Sequence, residues 1–398
     1  MAQVFKLIGV GLAVVLVATI GVVGFTAWSL AQTVVDKAVA LEGQDQVPPD
    51  IGQIEGGVNL FITGTDECEP AYKQYFPGRC DGPDADTVNN DVNMLVHISD
   101  SPRRVTVISF PRDMMVPIPA CTRDDGSTAS AMSLQPLNVS YDDGGLNCVV
   151  KTISQLTGLN IPYAAKITWG GVMQITNAIG GVDVCVANRI YDPTNTGLDL
   201  GPGMHTLQGI EALEFLRTRH GVGDGSDLAR ISNQQQYMSR LARKLVSEDV
   251  LSNPTTLFKL ATTAVDNITP SQSLTNPLTL VQIALAVKSV PFSDIAFIQY
   301  PTTEYAPNPN KVAPNKDAAA TLLAALAANQ PLQITGNAAM NGGVVEVTPT
   351  DAPTPADSAT PAPDGSATPA PTQSAAVLPS SISGSTAAQQ TCSNGNSR

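Results

Sequence analysis

The chain has 398 residues, 43% of them hydrophobic, and sets 35 acidic against 22 basic side chains for a formal net charge of -13. That apolar content can bury a sizeable core, but 30 prolines and 32 glycines, unevenly spread, argue against one compact unit over the full length. The acidic balance excludes a protein that coats nucleic acid through a general positive field, so no nucleic-acid partner is expected and a basic site needs a local reason.

Leu7 to Ala31 reads LIGVGLAVVLVATIGVVGFTAWSLA, without a charge. Such a run of roughly 25 residues can cross a bilayer with some tilt. Lys6 before it favours a cytoplasmic start and an exported body. A cleavable signal peptide is the rival, because Ser29-Leu30-Ala31 has the small residues a signal peptidase accepts. The apolar run is longer than such segments usually are, so residues 1–31 are read as an uncleaved anchor in the cytoplasmic membrane. Residues 32–56 are polar and contain proline, which suits a stalk.

From Val58 the pattern changes to short apolar runs bounded by turn residues. VNLFITG, VNMLVHIS, RVTVISFP, AAKITW and GVDVCVA predict strands, several apolar on both faces and therefore central in a sheet. CVVKTISQLTG and WGGVMQITNAIGG predict helices, the second ending in a glycine pair that fits a C-cap. Leu228 to Val246 is the clearest helix: Leu228, Ile231, Met238, Leu241 and Leu245 form an apolar stripe, while Arg230, Gln234 and Tyr237 share another face. Ser226 or Asp227 can cap it. Helices are also predicted over Pro254–Val265, Leu278–Val290 and NKDAAATLLAALAAN, with a strand in DIAFIQY. Strands interleaved with helices point to an α/β fold, a three-layer α/β/α sandwich around a mixed central sheet, over residues 57–333. The Pro/Ala/Thr/Ser-rich stretch that follows has almost nothing to bury, so residues 334–398 are expected to be a disordered tail, either a wall spacer or inert.

The six cysteines agree with an oxidising compartment. Cys68 and Cys80 bracket one loop and Cys121 and Cys148 another, so these are the two expected bridges. Cys185, in an apolar strand, is expected to be reduced and buried. None of the spacings is that of a zinc site, and His97, His205 and His220 are too scattered for a metal cluster. His220 lies beside arginines and is read as lining their site. No G-x-S-x-G elbow or Walker loop is present.

FLRTRHGVGDGSDLARISNQQQ gathers Arg217, Arg219 and Arg230 around a glycine-rich turn. In an extended Leu216–His220, Arg217 and Arg219 would project together, and Arg230 would sit in the first turn of the next helix near free backbone N–H groups. Planar, permanently charged guanidinium forks match phosphate oxygens with paired hydrogen bonds. The bland alternative is a solvated basic face paired with Asp224 and Asp227. A fourth arginine, Arg112, follows a strand end together with Asp113, where α/β sheets commonly carry functional groups; here the alternative is a strand-terminal ion pair. Asp66 just after one strand and Asp91 just before another would reach one edge if those strands are antiparallel neighbours. Two hard oxygen donors beside a phosphate site suit Mg²⁺, although loop aspartates also serve as turn formers. Asn138 and Tyr141 either position substrate or brace a turn.

In this order, FITGTDE, DVNMLVHIS, VISFPRD, LNVSYDDGG, TWGGVMQITNAIGGVDV, LDLGPGMHTLQGIEALEFLRTRH and SDLARISNQQQ resemble the LytR-CpsA-Psr family of cell-envelope proteins. The resemblance extends more loosely to PNKDAAATLLAALAANQPL, so it runs from about Val58 to Leu332. It implies a phosphotransferase that moves a glycopolymer from a polyprenyl pyrophosphate carrier onto peptidoglycan, leaving a phosphodiester link. Carried over residue by residue, it implies Arg112, Arg217, Arg219 and Arg230 as pyrophosphate ligands with Gln234 assisting, and Asp66 and Asp91 as ligands of Mg²⁺ or Mn²⁺. An apolar cavity for the lipid tail is implied too. Two departures stand out. Cys68 occupies the position two after Asp66 where the family usually has arginine, and NNDVNM surrounds Asp91 where an arginine and a threonine are usual.

Positioning and charge stabilisation carry most of such a reaction, with Arg112, Asp113, Arg217 and Arg219 as the catalytic candidates. The proton acceptor stays open between Asp113 and Asp91. A pyrophosphate hydrolase and a non-catalytic wall-tethered binding or regulatory protein are the competing readings. The paired cysteines and the tail have the flavour of actinobacterial members, for which arabinogalactan is the expected cargo.

Overall fold

The computed structural model describes residues 38–44, residues 57–347 apart from 84, 124, 248–259, 261 and 265, and residues 374–396. The predicted anchor Leu7–Ala31 and most of the predicted helix Pro254–Val265 lie outside them. Among the described residues no helix is long and apolar enough to cross a membrane.

The strands of the two main sheets are, in chain order, β1 (Val58–Thr65), β2 (Asn90–Ile98), β3 (Val105–Ser109), β4 (Tyr163–Ile167), β5 (Val182–Asn188), β6 (Gly203–Leu207), β7 (Ile268–Pro270), β8 (Ile295–Gln299), β9 (Val344–Glu346), β10 (Gly384–Thr386) and β11 (Thr391–Asn394). The longer helices are α1 (Val139–Thr157), α2 (Trp169–Ala178), α3 (Gly209–Arg217), α4 (Asp227–Ser247), α5 (Pro277–Lys288) and α6 (Lys316–Ala327).

Seven strands form the central sheet in the order β7-β4-β1-β2-β3-β8-β10. It is mixed: β1 runs parallel to β4 and β3 to β8, while β1 with β2 and β2 with β3 are antiparallel. Successive side chains of a strand face opposite ways, so strands with apolar residues at both parities need cover on both faces. Phe61, Leu95, Ile108 and Ile298 pack with Val149 and Ile153 of α1 and Leu322 of α6. Their neighbours Leu60, Val107 and Phe297 pack the other way, with Ile283 of α5 and Met238 of α4. The three-layer arrangement follows from that double-sided burial.

The helix ends have local causes. α1 stops at Gly158, whose φ of 72° is a left-handed conformation that glycine adopts without penalty. Thr168 caps α2 by accepting the backbone N–H of Gly171 at 3.2 Å. Ser226 caps α4 by accepting that of Ala229 at 3.2 Å. A second sheet, β6-β5-β11-β9, covers α3 and α4 through Val184, Leu207, Phe215 and Tyr237.

Three expectations need correction. Cys185 is not a reduced core residue; it is bonded to Cys392, 207 positions away, beside the expected Cys68–Cys80 and Cys121–Cys148 bridges. Structure also continues past residue 333. β10 extends the central sheet at its β8 edge, and β11 inserts between β5 and β9. Composition misleads there because strand pairing is made by backbone groups, which Gly384, Ser385 and Ser393 supply as well as bulky residues. Finally, residues 38–44 of the predicted stalk dock on the body. Val39 bridges to Ser271, and the Glu42 carboxylate is bonded to Lys151, which with Thr122 holds it down at about 2.

Candidate active site

The antiparallel register of β1 and β2 pairs Thr65 with Asn90, so Asp66, just past β1, and Asp91, the second residue of β2, come to the same end of the sheet. Asp66 is gripped by its neighbours: its Oδ1 accepts the backbone N–H of Asn89 at 2.6 Å and its Oδ2 accepts Arg79 Nε at 3.3 Å. Asp91 accepts Arg112 Nη1 at 2.5 Å through Oδ1. Arg112 also lies 3.6 Å from Asp113 and 3.7 Å from Asp227. Burial alone would weaken its protonation, but Asp91, Asp227 and Asp113 outweigh that and raise its pKa.

Arg217 is the last residue of α3 rather than part of an extended strand, as expected from the sequence; the helix simply runs two residues further before Thr218 turns the chain. Its guanidinium lies 4.0 Å from the centre of the Trp169 ring and 5.1 Å from that of Phe76. Burial lowers its pKa, opposed by the charges of Asp91 and Asp66. Thr218, fully buried, donates its hydroxyl to Asp192 at 2.8 Å and accepts Gly221 N–H at 3.3 Å. The peptide carrying Arg217 and Arg219 is thereby fastened at its midpoint. Arg230, one turn into α4, lies 2.5 Å from Asp227 and donates to the Asp91 carbonyl at 2.9 Å.

All four arginines line one cleft of about 530 Å³, together with Asp91, Gln234 and His220. Much of the remaining lining is apolar, with Ile62, Met94, Ile167, Val172, Ile175 and Leu241 among it. Arg112 and Arg230 are committed to carboxylates. Among the described residues Arg217 and Arg219 make no ion pair, and the buried Nε atoms of Arg219 and Arg230 have no hydrogen-bond partner. Tyr237 also lines the cleft with its hydroxyl unpartnered, and burial raises its pKa. Chemically, the arrangement offers hydrogen-bond donors to an anion and an apolar bed in the same cleft.

Among the described residues no group of three or more His, Cys, Asp or Glu side chains could hold a metal ion. Asp66 and Asp91 are hard oxygen donors of the kind a cation that keeps its waters uses, with both Asp66 oxygens already accepting hydrogen bonds from Asn89 and Arg79. Thr65 lines the cleft with a buried hydroxyl that has no partner, and Asp91 Oδ2 accepts no hydrogen bond among the described residues. Hard oxygens of this type suit Mg²⁺ or Mn²⁺.

Four sequence candidates fall outside the cleft lining: Asp66, Asp113, Asn138 and Tyr141. Asp113 is turned to Lys311, 2.5 Å away, because the strand Met115–Ile118 that follows it packs beside Val312–Pro314. Asn138 serves Arg112 from behind, its backbone N–H donating to the Arg112 carbonyl at 3.0 Å. Conversely, Trp169, Phe76, Arg79, Asp192 and Thr218 shape the site without having been singled out. Trp169 had a signal, since TWGG was already prominent; the rest are set by tertiary packing that no local pattern encodes.

The LytR_cpsA_psr family matches residues 24–327. The chain belongs to this family. Cell wall biosynthesis protein LcpA of Corynebacterium glutamicum is 28% identical over 235 residues, 55% of this chain and 44% of that protein. Polyisoprenyl-teichoic acid–peptidoglycan teichoic acid transferase TagT of Bacillus subtilis is 28% identical over 214 residues, 52% of this chain and 61% of that protein. The chain spans about half the length of the curated relatives it matches. In fold, it superposes on a LytR-Csp2A-Psr enzyme from Actinomyces oris with a TM-score of 0.52 and 24% identity, covering 73% of this chain and 94% of that one. The mixed central sheet is thus that of the family.

Proposed function

We propose that this chain is a membrane-anchored phosphotransferase that moves a glycopolymer from a polyprenyl pyrophosphate carrier onto peptidoglycan, forming a phosphodiester. One observation carries the reading: guanidinium groups without carboxylate partners, Arg217 and Arg219, share one cleft with an extended apolar lining. A ligand with a doubly charged head and a long hydrocarbon tail complements both parts of that lining. The name of the TagT relative, a polyisoprenyl-teichoic acid transferase, supports the same substrate class.

In this reading the pyrophosphate lies across Arg217, Arg219 and Arg230, with Gln234, which donates to the Leu216 carbonyl at 2.9 Å, steadying the arginine turn. An acceptor hydroxyl oxygen attacks the phosphorus bearing the glycan, the bond to the bridging oxygen breaks, and lipid monophosphate departs with the electron pair. Arg217 and Arg219 neutralise the charge that builds there; because the fold already holds them, little reorganisation is needed. Of the two carboxylates considered as proton acceptor, Asp91 lines the cleft, while Asp113, committed to Lys311, helps orient Arg112. Asp66 and Asp91 would hold Mg²⁺ or Mn²⁺, which supplies charge neutralisation at phosphate oxygens when bound. The anchor reading of Leu7–Ala31 puts the body outside the cytoplasmic membrane, and arabinogalactan is the cargo of this reading; the Corynebacterium relative, named as a cell wall biosynthesis protein, agrees with a wall polymer.

The test supplies purified protein with a synthetic polyprenyl pyrophosphate-linked glycan, peptidoglycan acceptor and Mg²⁺. Glycan joined to peptidoglycan, abolished by chelation, is expected. Release of lipid monophosphate without a joined product would make the protein a hydrolase, and binding without turnover at any Mg²⁺ concentration would make it a binding protein.

A further inference from the structure

Residues 68–80 form a loop closed on itself by the Cys68–Cys80 bond, with its Cα atoms 5.5 Å apart. The loop is seated against the start of α2. Glu69 accepts the backbone N–H of Gly170 at 2.6 Å, and Tyr72 accepts Gln174 Nε2 at 2.9 Å. Gly170 is required there, since a Cβ on it would meet the Tyr72 ring at 2.1 Å. From this seat the loop delivers two side chains. Phe76, 8% exposed, packs on Trp169 with ring centres 4.2 Å apart, and both rings lie against Arg217. Arg79, next to the bridging Cys80, reaches Asp66, with Nη2 donating to the Thr87 carbonyl at 2.6 Å.

We propose that Arg79 is a positioning residue, and that the Cys68–Cys80 cross-link holds it where it neutralises Asp66 and so leaves Arg217 open for the diphosphate. The inference rests on the phosphotransferase reading and deepens it. Its physical basis is a competition for one carboxylate. Asp66 acts on Arg217 through charge, as does Asp91. With Arg79 present, the Asp66 charge is already shared with a guanidinium that does not line the cleft. Without it, no cation is paired with Asp66 among the described residues, its charge acts undivided on Arg217, and an arginine offset by a carboxylate is a weaker anion ligand. The chain has Cys68 two residues after Asp66, so a guanidinium cannot come from that position; the bond from Cys68 to Cys80 brings the one at Arg79 to the same carboxylate.

The experiment is calorimetric titration of the full chain with inorganic pyrophosphate in the absence of divalent ions, for wild type, Arg79→Gln, Asp66→Asn, the double variant Arg79→Gln/Asp66→Asn, and Cys68→Ser/Cys80→Ser. Arg79→Gln should weaken binding about tenfold, by the constant of 1.4 kcal/mol per decade. Asp66→Asn should bind at least as well as wild type, and adding it to Arg79→Gln should restore most of the loss. Breaking the cross-link should reproduce the Arg79→Gln deficit. A merely structural role for Arg79 would give a loss that Asp66→Asn does not repair. Wild-type affinity in Arg79→Gln, or no repair in the double variant, overturns the proposal while leaving the parent reading intact. A wild-type chain that does not bind pyrophosphate overturns both.

Discussion

Replacing Thr218 with valine removes one hydroxyl from the residue between the two uncommitted arginines while keeping nearly the same shape. That hydroxyl donates to Asp192 at 2.8 Å, and Thr218 has 0% and Asp192 3% exposure, so water cannot take its place. Asp192 keeps Asn195 as a donor, at 2.5 Å, on its other oxygen. The loss is therefore one hydrogen bond to a buried charge, worth about 1.5–3 kcal/mol, together with the longer bond that the hydroxyl accepts from the Gly221 N–H at 3.3 Å, worth about 0.5–1.5 kcal/mol. If the bond only supports the fold, the urea midpoint falls and pyrophosphate affinity stays. If it sets the spacing of Arg217 and Arg219, the anion must also re-order that peptide on binding, and affinity falls roughly tenfold or more. The pair of measurements is urea denaturation and pyrophosphate titration on the same preparations, with Thr218→Ser, which keeps the hydroxyl, as the control. A valine variant that binds pyrophosphate like wild type refutes the positioning argument, whatever its stability.

Arg217→Lys should reduce transfer about tenfold, because a compact ammonium cannot replace a planar group lying 4.0 Å from the Trp169 ring; full activity in the lysine variant would contradict a role for the plane. Cys185→Ser/Cys392→Ser should cost about 5 kcal/mol by loop-closure entropy, since the bond spans 207 positions; a thermal midpoint within a degree of wild type would show that the strand pairing alone secures β11. His97, 6% exposed, is held by burial at about 4 against an ordinary 6.5. Its folded pKa is depressed, so the unfolded chain takes up the proton first: stability is fully present above pH 6.5 and drops by about 3 kcal/mol as pH falls toward 4. Denaturation curves across that window should flatten in His97→Gln, and an unchanged slope would assign the acid sensitivity elsewhere.

The central sheet could be read from the chain because its signal is local: VTVIS carries apolar residues at both parities, Val105 and Val107 against Ile108, and is buried at every position, which a strand covered on both faces explains. The helix over Leu228–Val246 was legible for the same reason, and its observed span differs by one residue at each end. The short-range disulfides were legible because the cysteines bracket loops. What could not be read depends on contacts far apart in sequence. Cys185 sits in a strand whose apolar neighbours suggest a core thiol, and its partner lies beyond a stretch rich in proline and alanine. Arg79 lies in a loop with no pattern of its own, and only the fold brings it to Asp66. The convergence of Arg112, Arg217, Arg219 and Arg230 was inferable as chemistry, since arginines near strand and helix ends suit an anion, but their division into paired and unpaired members was not.

That division explains how four like charges share one cleft in the absence of a ligand. At the separations within such a site, unscreened guanidinium groups repel by amounts that a marginally stable fold cannot ignore. Asp227 lies 2.5 Å from Arg230 and 3.7 Å from Arg112, and Asp91 holds Arg112 at 2.5 Å, so two carboxylates bind half the cluster into a framework. Arg217 is held instead by aromatic faces, which attract a cation without cancelling its charge, and Arg219 by the anchored Thr218 peptide. Carboxylates on all four would have given a more stable protein with nothing left to offer an anion. Carboxylates on none would have spread the arginines apart. The observed arrangement keeps the cluster together with two of its members and leaves the other two to the substrate.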